Sequence, residues 1–185
     1  MMPAAHDRAL RGGLQLRKLW GTDHGTFRDH LVRLDIKTRR LRFGTAVNDR
    51  FLAQYAERAL SPDAAVFGCI VEGTLRGTGE LRPLYDSWPV AAEAAFAVEA
   101  PWQNRGIGHA LMARVIATAR HRAVKVVHLI CLAENARMRH LVEAFRDEVE
   151  ADTEPTRVRL VTPQAGEASE DGGGFIRAAL TMQER

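Results

Sequence analysis

Between residues 93 and 112 the chain reads EAAFAVEAPWQNRGIGHALM, and its most chemically loaded part is the run Gln103, Asn104, Arg105, Gly106, Ile107, Gly108. The run lies where an alternating apolar segment ends and a helical one begins. The first turn of a helix leaves backbone N–H groups without intrahelical partners, and its aligned peptide dipoles place about half a positive charge there. Glycine removes the Cβ that would hold a phosphate off the main chain, so this loop is a competent pyrophosphate cradle, and Arg105 adds a donor that stays charged. A tight turn without a ligand is the competing reading of a bare glycine pair; Gln103 and Arg105 beside it favour the ligand.

Spacing separates the ligand classes that use such loops. A dinucleotide fold needs a third glycine or an alanine three residues after the second glycine, but position 111 is leucine and the strands before the loop form a meander. A nucleoside triphosphate loop needs Gly-Lys followed by Ser or Thr, and the chain has no such run.

The elements that must position the loop follow from periodicity. LQLRKL at 14–19 alternates as a strand, and residues 23–34 place Phe27, Leu31 and Leu34 on one helical face. A second helix is expected after Gly44, capped by Asn48 or Asp49. Residues 64–84 read as a hairpin turning at Glu72 and Gly73. Next come a strand from Glu93, a helix from Gly108, a buried strand from Val124 and an amphipathic helix from Ala136. A last strand is expected at 156–163, then a flexible linker, then a short helix in FIRAALTMQER at the end. The fold class is therefore α/β (α+β): one mixed sheet, covered by helices. The domain is expected to span residues 14–163, between a flexible N-terminus at 1–13 and a linker and tail at 164–185.

The Gln-x-x-Gly-x-Gly run, the AEAAFAV strand before it, and ICLAEN with Asn135 opening the next helix together resemble the GCN5-related N-acetyltransferases. The resemblance covers roughly residues 14–160. The segment HLVRLDIKTRRLRFGTAV also resembles the front of the acetyltransferase domains in bacterial protein-lysine acetyltransferases and their relatives. The resemblance implies a mostly antiparallel central sheet and acetyl-CoA as cofactor, with its pyrophosphate on the loop at residues 103–110: Gln103, Asn104, Arg105, Gly106, Ile107, Gly108, His109 and Ala110. It further implies that the backbones of Phe96, Ala97 and Val98 accept the pantetheine arm where two parallel strands splay apart, and that the Asn135 amide contacts the cofactor.

Acetyl transfer from a thioester to an amine needs a neutral nucleophile, a polarised carbonyl and a tolerable leaving thiolate. Glu93, ten residues before Gln103, stands close to where the family's histone-type members keep their general base, so the resemblance implies that Glu93 takes the acceptor's proton. A solvated charge at a strand end is the plainer alternative. The family often has a tyrosine acid seven residues after the asparagine; Val142 stands there, and Tyr85 is the candidate substitute. The acceptor reads as a primary amine, on a protein lysine or a small molecule, attacking directly in a ternary complex. A non-catalytic acyl-CoA-binding regulator is the alternative reading, which the missing tyrosine leaves open.

A net charge of +3 on 185 residues fits an acidic ligand and lacks the clustered stripe of a nucleic-acid binder. The cluster Arg33, Lys37, Arg39, Arg40, Arg42 points weakly to an acidic acceptor. Cys69 and Cys131 each lie in an apolar run and read as small buried hydrophobes of a reducing compartment, which makes the cytoplasm the expected location. No leader and no membrane span are expected. The histidines at 109, 121, 128 and 140 lack metal-ligand spacing, so no metal is expected.

Overall fold

The computed structural model describes residues 14–87, 91–151, 156–161 and 175–182. Its strands are β1 (Leu14–Leu19), β2 (Ala65–Val71), β3 (Thr74–Pro83), β4 (Ala91–Val98), β5 (Val126–Leu132), β6 (Thr156–Val161) and β7 (Phe175–Met182). Its helices are α1 (His24–Arg33), α2 (Ile36–Phe43), α3 (Asp49–Ala59), α4 (Ile107–His121) and α5 (Ala136–Ala151). The strands form one sheet in the order β1-β2-β3-β4-β5-β7-β6. Only β4 and β5 run parallel; every other neighbouring pair is antiparallel.

Alternation along the strands sends side chains to two cores. On β2, Ala65 and Phe67 join Leu111, Met112 and Ile116 of α4 on one face, while Val66 joins Phe27 and Leu31 of α1 and Leu52 of α3 on the other. Helix α4 comes close because β3 is bare beneath it. A Cβ on Gly77 would meet Ile107 Cγ2 at 2.8 Å, and one on Gly79 would meet the Phe96 ring at 3.0 Å. The β2–β3 hairpin turns through Glu72 (φ 50°) and Gly73 (φ 74°), the pair of left-handed residues that matches the strands' twist.

Two expectations are corrected. The chain between α1 and α3 folds as a further helix, α2, whose signals are its ends: the Asp35 carboxylate accepts from Thr38 N at 2.8 Å, and Gly44 closes the helix at φ 78°. No α2 side chain is buried, so its apolar periodicity is weak. The closing segment, expected to be a short helix outside the domain, is strand β7, and the domain therefore reaches Met182. Alanines favour helix locally, but β5 offers a full edge, and β7 pairs along it from Val126↔Thr181 to Leu132↔Phe175 with Leu180 wholly buried. Strand β6, expected at 156–163, takes the outer edge against β7. Residues 1–13 and the linker after Val161 lie outside the described residues. No described helix is long and apolar enough to cross a membrane.

Candidate active site

Strands β4 and β5 pair only from Ala91↔Val126 to Ala94↔Leu129, then separate although β4 continues to Val98 and β5 to Leu132. The gap opens a cleft of about 370 Å³, within the range of small-molecule sites. Ala94–Val98 form one wall and Leu129–Cys131 the other; Thr38, Leu41 and Arg42 of α2 close one side, and Asn135 and Met138 the far side. Backbone groups of β4 beyond Ala94 thus face an opening where a neighbouring strand would lie, which is a place for an extended ligand to pair.

At one end the cleft meets the start of α4. Gly106 is the residue before the helix, at φ 80°, and no side chain caps it. Nothing lies within 4 Å of a Cβ built there. By contrast Asp35, Asn48 and Asn135 cap their helices by accepting from Thr38, Phe51 and Met138. The open space and uncapped N–H groups at α4 fit a pyrophosphate. Asn104 also holds a positive φ, 57°, folding the loop back toward the helix.

The expected contact residues divide by what they can offer. Phe96, Ala97, Val98, Gln103, Asn104, Gly106, Gly108, His109 and Asn135 all line the cleft. The Phe96 side chain packs into the core, leaving its main chain to the opening. The Gln103 amide donates to Val98 O at 2.8 Å and so ties the loop to β4. Asn135 uses its carbonyl oxygen on Met138 N at 3.1 Å, which leaves its amide N–H groups for a ligand. Three others do not line the cleft. Ile107 is a core side chain, buried to 1%. The Ala110 N–H is spent on Gly106 O at 3.0 Å and is no anion donor. The Arg105 guanidinium lies over the Trp102 ring, 4.8 Å from its centroid.

Glu93 stands one residue before the lining part of β4 and is half-buried. Its register neighbours are Arg82 on β3 and His128 on β5. Arg82 nevertheless turns to Glu80, donating from Nε and Nη2 to Oε2 at 3.0 and 2.8 Å, and Glu93 makes no ion pair or hydrogen bond among the described residues.

Sequence reasoning passed over Glu80, which is 1% exposed. Oε1 accepts from Arg42 Nη2 at 2.7 Å and Oε2 from the Tyr55 hydroxyl at 2.7 Å, besides the two bonds from Arg82. Burial opposes its charge, but the Arg42 and Arg82 guanidiniums outweigh that and hold its carboxyl below the usual range. Burial likewise pushes the Tyr55 phenol up, with Glu80 adding to it. A second network fixes α1: Glu99 accepts from His30 Nδ1 at 3.2 Å, Arg33 Nε at 2.9 Å and Arg76 Nη1 at 2.8 Å.

Of the cationic cluster read in the sequence, Arg33 serves Glu99, Arg39 pairs with Asp49, Arg40 pairs with Glu134, and Arg42 reaches the cleft wall. Val142 is a core residue and supplies no proton donor. Tyr85 is exposed, its hydroxyl 3.4 Å from the Asp63 carboxylate, and does not line the cleft. Cys69 and Cys131 are free and buried, and burial raises both thiols, Cys69 to about 11. Among the described residues no group of three or more His, Cys, Asp or Glu could hold a metal.

Comparison with known proteins agrees with this geometry. The sequence profile of the acetyltransferase (GNAT) family matches residues 8–146. The GNAT domain of S. lividans PAT superposes with a TM-score of 0.69 at 18% identity, over 91% of this chain and 90% of that one. The yncA protein from Salmonella typhimurium, solved with its cofactor acetyl-CoA, gives 0.68 at 18% identity, over 94% and 96%. The ribosomal-protein-S18-alanine N-acetyltransferase of Escherichia coli gives 0.61 at 18%, over 93% and 96%. At this identity the likeness is one of fold. No curated protein sequence matches the chain. With most of its length matched by the profile, the chain belongs to the GNAT acetyltransferase family, and its cofactor is acetyl-CoA.

Proposed function

We propose that the protein transfers an acetyl group to a primary amine by direct attack in a ternary complex, with Glu93 as the general base. Acetyl-CoA supplies the activated acetyl thioester. The N–H groups of Gly106–Gly108 hold the pyrophosphate without a competing side-chain cap, and the main chain of Phe96–Val98 aligns the arm in the opening between β4 and β5. Glu93 removes a proton from the acceptor ammonium, directly or through one water, so that the amine reaches the thioester neutral.

The observation that carries this reading is the availability of Glu93. One of its two register neighbours is an arginine, yet Glu80 holds that arginine, and Glu93 makes no ion pair among the described residues. Glu80 itself accepts four hydrogen bonds, and the Arg42 and Arg82 guanidiniums hold its carboxyl below the usual range, which makes it a poor base. Leaving-thiolate protonation falls to solvent, since Val142 offers no donor and a thiol's ordinary pKa near 8.5 makes the thiolate a tolerable leaving group.

The test is thiol release from acetyl-CoA with a panel of primary amines. Glu93→Gln is expected to lower kcat/KM by about 100-fold and to flatten its pH dependence, with acetyl-CoA binding retained. An unaltered pH profile removes Glu93 from this role. The buried Val142 favours one second reading, an acyl-CoA-binding regulator; binding without thiol release for any amine supports that instead.

A further inference from the structure

The cleft wall continues onto α5. Besides the loop residues it includes Arg137, His140, Leu141 and Ala144, which are spaced as i, i+3, i+4 and i+7 and form one face of that helix. This face stands against the start of α4: a Cβ on Gly108 would lie 3.6 Å from Leu141 Cδ2, and the His109 and Phe145 ring centroids are 5.6 Å apart. It thus borders the place where the first turn of α4 offers uncapped N–H groups to a diphosphate. Asn104, Gly106, Arg137, His140 and Ala144 are exposed, so this end of the cleft is open. Its charge is one-sided. Among the described residues no aspartate or glutamate lines the cleft, and of the two lining arginines Arg42 is committed to Glu80. Arg137 makes no hydrogen bond or ion pair among the described residues; Glu134, the carboxylate nearest to it in sequence, is held by Arg40.

Acetyl-CoA carries another anionic group besides its diphosphate, the phosphate on the 3′ oxygen of its ribose. We propose that Arg137, with His140 beside it, binds that 3′-phosphate and makes the protein selective for coenzyme A thioesters over thioesters of the same pantetheine arm that lack it. A guanidinium presents a planar fork of N–H donors that matches two phosphate oxygens, and the imidazole one helical turn further on adds a ring N–H. The main-chain amides of α4 cannot make this distinction, because the diphosphate is the same with or without the 3′-phosphate; a cation further along the wall can. The inference rests on acetyl-CoA as the cofactor and is independent of the role of Glu93.

The experiment is calorimetric titration of coenzyme A and of 3′-dephospho-coenzyme A into the full chain at low ionic strength, where an exposed ion pair is least screened. The wild type is expected to bind coenzyme A more tightly by roughly tenfold. Arg137→Gln should bring the two affinities within about twofold of each other by weakening coenzyme A alone, and Arg137→Lys should keep part of the preference. Arg139→Gln is the control: it removes an exposed cation of the same helix that does not line the cleft, and the preference should survive it. Equal affinities in the wild type, an Arg137→Gln variant that weakens both ligands alike or neither, or a loss in Arg139→Gln as large as in Arg137→Gln overturns the proposal while leaving cofactor binding standing. Binding of neither ligand by folded wild-type protein overturns the cofactor site itself, and the proposal with it.

Discussion

At the residue scale, the protein's carboxylates divide by what surrounds them. Glu93 is unpaired among the described residues, Glu80 is held by two arginines and a tyrosine, and Glu99 is a fastener. Burial works against the Glu99 charge, but the hydrogen bonds from His30, Arg76 and Arg33 prevail and bring its carboxyl down to about 2. A depressed folded pKa means that the stabilisation is complete above the unfolded value of about 4.3 and is lost as pH falls through that value toward 2. Glu99→Gln should therefore cost roughly 3 kcal/mol at neutral pH, because it leaves His30 and two arginines without their anion. In denaturant melts the gap to the wild type should narrow as pH falls from about 5 to about 3; a constant gap over that range counts against the network. The place of Glu93 on β4 was legible in the sequence because it is set by a fixed spacing from Gln103 along one strand and loop. Glu80 was not, because its meaning comes from Arg42 and Tyr55, 38 and 25 residues away, which only the packing of α2 and α3 on the sheet brings to it.

At the scale of elements, caps and turns were readable where an apolar periodicity accompanied them. The left-handed pair Glu72–Gly73 marked the hairpin, and Asn48 marked the start of α3. Helix α2 carried both end signals, Asp35 and Gly44, but its IKTRRLRF sequence has no buried stripe to announce it. Strand β7 was illegible because its alanine-rich stretch favours strand only once β5 offers an edge. Two asparagine caps provide a test that separates structure from function. Asn48→Ala and Asn135→Ala each remove one side-chain acceptor from a helix start and should each cost about 1 kcal/mol in thermal or denaturant melts. Only Asn135 lines the cleft, so only its replacement should also weaken acetyl-CoA binding. Equal affinities in the two variants would mean that Asn135 is a cap alone.

At the scale of the whole molecule, the site is a consequence of one parallel pairing in an otherwise antiparallel sheet. Helix α4 must connect β4 to a parallel β5, and this brings its N-terminus to the end of β4, where the two strands part. The bare surface of Gly77 and Gly79 lets α4 lie close enough for its first turn to reach the opening. Helices α1–α3 cover the other face and bring Arg42 to the cleft. The central claim is that main-chain amides at this junction hold the diphosphate of acetyl-CoA. Its most direct test is calorimetric titration of acetyl-CoA into the wild type and into Gly106→Val, with melting curves to confirm that both are folded. The account predicts saturable binding to the wild type and an affinity lower by roughly tenfold or more in the variant, where a side chain fills the open space and strains a left-handed backbone. Equal affinities, or no binding to folded wild-type protein, would contradict it.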